Sequence, residues 1–323
     1  MTTRRLAHAL VLVCLTLAIA GGATAQELKL ETVEFMSPAV DRLMKYNVLL
    51  PKNYAQTTDR YPVLYLLHGL TQNYTAWGLT NGAPFYAGLC DDLIVVMPDG
   101  GNSWYVNWEK SEGGQTNNWA DHIVEDVVSH VDWKYRTIAR REGRAIAGLS
   151  MGGYGAITLG LRNPDMFISV GSTSGALVWG RDAARRIRGE IPPATPRERS
   201  ADVNPLIGIK GFSSQVERTP IGQRHVTPEH AETFDPYTLI HQVPSDQLPH
   251  IYIDCGTEDR LIAGAKELVQ ILIDKEVPFN YMQMDGAHNA AYWIQSIGHI
   301  MSVQYEVMQR ALGQRPDGRR HTN

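Results

Sequence analysis

The strongest constraint in this chain is an alternation of two kinds of segment. Residues 63–67 (Val-Leu-Tyr-Leu-Leu) and 93–97 (Leu-Ile-Val-Val-Met) are short, uninterrupted apolar runs. Runs of this length suit strands buried on both faces of a sheet. Residues 144–147, 167–170, 250–254 and 279–284 also read as strands. Between them lie segments with helical spacing. Trp119, Ile123, Val127 and Val131 recur every four residues over 119–131, and residues 154–161, 262–275 and 292–312 also read as helices. Strands alternating with helices imply βαβ units and a mostly parallel central sheet flanked by helices. Residues 28–35 and 42–50, separated by Ser37-Pro38, read as a leading antiparallel pair, which makes the sheet mixed.

The chain has 323 residues, 43% of them hydrophobic, which is enough for a large core. A net charge of −4 argues against a nucleic-acid partner, since such proteins carry a positive excess. Residues 1–25 stand apart: Arg4 and Arg5, an apolar run over 10–20, then Ala23-Thr24-Ala25. This pattern reads as a secretory signal peptide and places the protein outside the cytoplasm, secreted or periplasmic. The apolar run falls short of the roughly 20 residues of a membrane span, so no stable membrane insertion is expected. Cys14 leaves with that segment. Cys90 and Cys255 remain, which permits one bridge but no disulfide framework. Residues 26–323 read as a single catalytic domain. An insertion at 176–236, rich in Pro, Gly and Arg, is expected near the ligand edge of the sheet.

Gly148-Leu149-Ser150-Met151-Gly152 is a G-x-S-x-G sequence between a strand pattern and a helix pattern. The spacing has a chemical reason. A nucleophilic serine must project from a sharp strand-to-helix turn, and that turn leaves no room for side chains on its flanks. A second sequence, Gly171-Ser172-Thr173-Ser174-Gly175, shares the glycine spacing, but no helix pattern follows it. A serine hydroxyl needs a neighbouring base. In folds built around such an elbow, the acid and then the histidine follow in the chain, each after a strand's carboxyl end. His288, after residues 279–284, is the base. Asp259, after residues 250–254, is the first choice for the acid. Glu258 competes with it, and Asp254 is a weaker competitor inside the strand.

Acyl transfer builds charge on the carbonyl oxygen, and fixed N–H donors must await it. The amides of Met151, after the nucleophile, and Leu70, in the loop after residues 63–67, are the expected pair. Trp104 and Tyr105 follow another strand end, and Tyr292 and Trp293 closely follow His288; these aromatic side chains are candidates to face the substrate. His225, His230 and His241 read as surface residues, and His122 and His250 as parts of elements. No H-E-x-x-H, cysteine cluster or phosphate loop is present, so neither a metal nor a cofactor is expected.

Taken together, several motifs resemble the esterase-D-type "putative esterase" family. They are Leu64-Tyr65-Leu66-Leu67-His68-Gly69, Met97-Pro98-Asp99-Gly100-Gly101, Ala147 to Ala156 around Ser150, Asp254-Cys255-Gly256-Thr257-Glu258-Asp259, and His288 with Tyr292-Trp293. That family includes tributyrin-type esterases, S-formylglutathione hydrolases, feruloyl and acetylxylan esterases of carbohydrate esterase family 1, and mycolyltransferases. The resemblance covers most of residues 40–310. It implies an α/β-hydrolase fold, a Ser150–Asp259–His288 triad without cofactor, and a small-molecule or carbohydrate ester as substrate. Trp293 stands where the family often has a tryptophan after its histidine, here displaced by Asn289-Ala290-Ala291. Three functions are compatible with this reading: a secreted serine carboxylesterase, an acyltransferase of the mycolyltransferase type, and a silent binding protein on the same scaffold.

Overall fold

The computed structural model describes residues 28–90, 92–193 and 220–313. The segment read as an export signal lies outside the described residues, as do residues 194–219 of the insertion. The main sheet contains β1 (Lys29–Ser37), β2 (Arg42–Leu50), β3 (Val63–Leu67), β4 (Ile94–Pro98), β6 (Arg144–Leu149), β7 (Ser169–Thr173), β9 (His250–Gly256) and β10 (Phe279–Met284). Two-residue strands β5 (Lys110–Ser111) and β8 (Gly222–Gln223) pair with each other outside it. The sheet order is β1-β2-β4-β3-β6-β7-β9-β10. β2 runs antiparallel to β1 and β4, and every other pairing is parallel. The mostly parallel, mixed α/β sheet is therefore the one expected.

Successive side chains of a strand point to opposite faces, and the core divides accordingly. Val63, Tyr65, Leu67 and Ile146 join one cluster with Tyr154, Ile157 and Leu159 of the helix Met151–Arg162 and Leu268 and Leu272 of the helix Ile262–Asp274. Leu64, Leu66, Ala145 and Ala147 join the other with Trp77 and with Ile297, Ile300 and Met301 of the helix Ala290–Ala311. Cys90 and Cys255 pack on opposite faces and are not joined by a disulfide.

Several element boundaries differ from the sequence reading by a few residues, and three differences bear on the site. β7 occupies Ser169–Thr173 rather than 167–170, because after Val170 its small residues (Gly-Ser-Thr) carry no apolar signal although all are buried. β9 continues to Gly256, so Asp259 stands three residues beyond the strand and not five. The helical stretch from Trp119 to Lys134 contains a π-helical turn, His122–Val127. There the buried His122 ring bridges Ser37 Oγ (2.8 Å) and the Asp99 carbonyl (3.0 Å). No helix among the described residues is long and apolar enough to cross a membrane.

Buried histidines give the fold an acid limit. Burial pushes His122 down to about 4, against the opposing pull of the Asp99 carbonyl and the Asp126 charge. His225 is likewise pushed down to about 3 by burial. An unfolded histidine takes up its proton near 6.5. The stability these sites contribute is complete above that pH. It is lost as pH falls toward 4, by up to about 1.4 kcal/mol per pH unit for each site. Asp254, raised to about 6 by burial, has the opposite sign and offsets part of the loss. The melting temperature is expected to drop clearly between pH 7 and pH 4.5. A melting temperature independent of pH across that range would contradict the assignment of these rings as neutral in the folded chain.

Candidate active site

The parallel strands deliver their carboxyl ends to one edge of the sheet, where ligands gather in open α/β folds. β6 ends at Leu149, and Ser150 turns the chain into the helix that begins at Met151. Ser150 has φ 53° and ψ −115°, a conformation that costs a non-glycine residue about 1–3 kcal/mol. Three backbone hydrogen bonds hold it there. Its N–H donates to the Thr173 carbonyl of β7 (3.0 Å), and its carbonyl accepts from Tyr154 (3.1 Å) and Ala176 (3.1 Å).

The turn closes only because its flanks lack side chains. A Cβ on Gly152 would lie 2.3 Å from the Leu67 carbonyl oxygen and 2.6 Å from that of His68. Both are backbone atoms and cannot swing away. Gly152→Ala is therefore expected to destabilise the protein by about 3 kcal/mol, seen as a large drop in the thermal midpoint. An unchanged midpoint would mean that the turn has slack the structure does not indicate.

The side chains gather as follows. His288 Nε2 lies 2.9 Å from Ser150 Oγ, and His288 Nδ1 lies 2.8 Å from Asp259 Oδ2. These residues are 138 and 29 positions apart in the chain, brought together by β6, β9 and β10. The Asp259 carboxylate is fully buried, and the His288 side chain is about one-fifth exposed. Burial alone would raise the Asp259 carboxyl. The hydrogen bond to His288 and the Leu261 N–H on Oδ1 (2.9 Å) outweigh it and hold the group below its ordinary range. The two loops are tied together: Thr257 N–H donates to the Met284 carbonyl, and Glu258 N–H to that of Gly286. Glu258 itself is exposed, and Asp254 is buried and bonded to Thr173 and Tyr292 rather than to His288.

The loop after β3 lies beside Ser150, since a Cβ on Gly69 would sit 3.5 Å from Ser150 Cβ. Its amides are unequal. Gly69 N–H donates to Gln72 Oε1 (2.8 Å) and Thr71 N–H to Asn102 Oδ1 (2.8 Å). Among the described residues no acceptor takes the Leu70 amide between them. Met151 opens its helix, where the first amides have no partner within the helix.

The four aromatic candidates separate into two kinds. Tyr105 is fully buried; its hydroxyl donates to the His68 carbonyl (2.9 Å) and its ring packs on Gly100 and Gly155. Tyr292 is also buried, and its hydroxyl donates to Asp254 Oδ1 (2.9 Å). Neither ring has a surface to offer a ligand, which corrects the expectation for both. Trp293 packs edge-on against the His288 ring at 5.2 Å. Trp104, half-buried with φ 64°, stacks on Trp179 at 4.2 Å with rings 9° from parallel. Trp179 is a residue the sequence did not single out. Behind that pair, His225 is half-buried among Trp179, His230 and Phe234, and its Nδ1 is 2.8 Å from His230 Nδ1, so it is not a surface residue. The same segment is stitched to the loop after β4: Arg224 donates to the Asn102 carbonyl, and the Val226 and Thr227 amides donate to Glu109. No group of three or more His, Cys, Asp or Glu side chains able to hold a metal ion occurs among the described residues.

A family described as "Putative esterase" matches residues 37–301, which contain every residue of this site. The chain belongs to that family. Among curated proteins it is 36% identical over 263 residues to Esterase Rv1288 of Mycobacterium tuberculosis, covering 79% of this chain and 54% of that protein. It thus spans about half the length of that relative. It is 25% identical over 252 residues to an acetyl esterase of Caldicellulosiruptor saccharolyticus, covering 77% of this chain and 85% of the other. The fold matches FphF, a fluorophosphonate-binding serine hydrolase of Staphylococcus aureus solved with substrate bound. The TM-score is 0.66 at 24% identity, over 86% of this chain and 99% of that one. The fold is that of an α/β-hydrolase, as the motifs implied.

Proposed function

We propose that the chain is a serine carboxylesterase working through an acyl-enzyme on Ser150, His288 and Asp259. The observation that carries this reading is the continuous hydrogen-bonded line from Ser150 Oγ through the His288 ring to the buried Asp259 carboxylate. His288 Nε2 takes the Ser150 proton as Oγ bonds to the ester carbonyl carbon. Asp259 holds the ring with its other nitrogen protonated and stabilises the imidazolium that forms. The amides of Leu70 and Met151 receive the oxyanion. The carbon–oxygen bond to the alcohol then breaks, and His288 delivers its proton to that oxygen. Water repeats the sequence and frees the acid, restoring Ser150.

The substrate class we favour is a short-chain or carbohydrate-linked ester, acetyl or feruloyl. Membership of the esterase family and the acetyl esterase among the relatives support the acetyl group. The Trp104–Trp179 stack, next to Tyr154 on the helix that Ser150 begins, supports a flat ring beside the scissile bond. The N-terminal export signal read from residues 1–25 fits an enzyme acting on ester substrates outside the cytoplasm.

The test is product analysis on p-nitrophenyl acetate, methyl ferulate and acetylated xylan, with and without an added acceptor alcohol. Free acid formed in step with released alcohol, unaffected by the acceptor, is expected. Predominant transfer to the acceptor would make the protein an acyltransferase, and no turnover of any ester would contradict an esterase.

A further inference from the structure

Asp254 has no part in the proton line just described, yet it is a fully buried carboxyl. Among the described residues no cation lies within 4 Å of it. Burial raises it to about 6 even though the Thr173, Tyr292 and Tyr252 hydroxyls pull it the other way. Such a group is costly to keep unless it does something an apolar residue cannot.

Its partners indicate what that is. Two of these hydroxyls converge on one atom, Asp254 Oδ1: Thr173 Oγ1 at 2.6 Å and Tyr292 Oη at 2.9 Å. Thr173 belongs to the nucleophile's side, because its carbonyl accepts the Ser150 N–H and it lies opposite Leu149 in the sheet. Tyr292 belongs to the base's side. It stands four residues after His288, and its N–H is capped by Asn289 Oδ1. Its ring closes on the loop that carries His288, such that a Cβ on Gly286 would lie 2.8 Å from Tyr292 Cδ2. The Asp254 carbonyl also accepts the Ser174 N–H at 2.8 Å, so the residue holds both the last position of β7 and the one that follows it.

We propose that Asp254 is a positioning residue whose Oδ1, by holding the Thr173 and Tyr292 hydroxyls together, sets the separation between the Ser150 elbow and the His288 loop. The inference rests on the reading of Ser150 and His288 as nucleophile and base. A misplacement of about 1 Å in such a pair costs on the order of 100-fold in rate. The effect belongs in kcat, since none of the three side chains reaches the exposed surface where substrate binds.

The experiment compares Tyr292→Phe, Thr173→Val and Asp254→Ala with the conservative Thr173→Ser and Asp254→Asn, and includes Ser150→Ala. Rates on p-nitrophenyl acetate are normalised to active sites counted with a fluorophosphonate, except for Ser150→Ala, whose rate is normalised to folded protein, and thermal midpoints are recorded. The first three variants are expected to lose about 10- to 100-fold in kcat per counted site, with KM within about twofold. Thr173→Ser, which keeps the hydroxyl, and Asp254→Asn, which keeps an acceptor oxygen, recover most of the loss. Full kcat in Tyr292→Phe and Thr173→Val alongside an inactive Ser150→Ala would overturn this inference alone. So would a loss explained wholly by fewer counted sites, which marks a folding defect. An active Ser150→Ala would remove the nucleophile reading and this inference with it.

Discussion

Replacing Ser150 by alanine is expected to lower kcat on p-nitrophenyl acetate at least about 10⁴-fold while leaving the fold intact. The substitution removes one oxygen and keeps the Cβ. The strained backbone at φ 53° stays held by the Thr173, Tyr154 and Ala176 hydrogen bonds, all of which are main-chain. The residue is not needed for packing, so the thermal midpoint should be unchanged or slightly raised, as is common when a strained site loses its functional group. What remains after the loss is the catalysis that oxyanion donors and binding supply by themselves. Retention of near-normal turnover would show that another group attacks the ester.

The second large effect concerns Asp259, the proposed acid. Asp259→Asn is expected to reduce kcat by about 10⁴-fold, because an amide in place of Oδ2 can present a donor to His288 Nδ1 and favours the wrong ring tautomer. Glu258→Gln should stay within about twofold of the parent. Glu258 is exposed, and its tie to the His288 loop is made by its backbone N–H. Steady-state kinetics on the two variants decides between them. The reverse ranking would require the loop after β9 to rearrange in the working enzyme, putting Glu258 behind the ring. Asp259 sits below its ordinary carboxyl range, so it stays ionised until the pH falls well into the acid region.

The parts of this site that were legible in the sequence are those dictated by local sterics and by chain order. The elbow demands small residues around Ser150, and Gly148 and Gly152 meet that demand against backbone atoms of β3 and its loop. The five-residue apolar runs of β3 and β4 declare strands covered on both faces. Asp259 and His288 could be sought as partners of Ser150 after later strand ends, because parallel strands bring those ends to one edge. What escaped the reading depends on partners far apart in the chain. Tyr105 and Tyr292 look like ligand-facing aromatics until their hydroxyls are found on the His68 carbonyl and Asp254. His225 sits in a polar, Arg-rich stretch, and only the folded chain puts Trp179 and Phe234 around it. β7 is a strand of mostly small residues with one apolar side chain, and its burial comes from the helices Met151–Arg162 and Ala290–Ala311, as with Gly160 against Val170 and with Gln304 and Ile300 against Gly171.

The central claim is most directly tested by covalent capture. A fluorophosphonate added to the protein, followed by proteolysis and mass spectrometry, should leave one adduct, on the peptide containing Ser150, and labelling should slow sharply in His288→Ala. An adduct on any other residue, or labelling of Ser150 that proceeds at full rate without the histidine, would contradict the account.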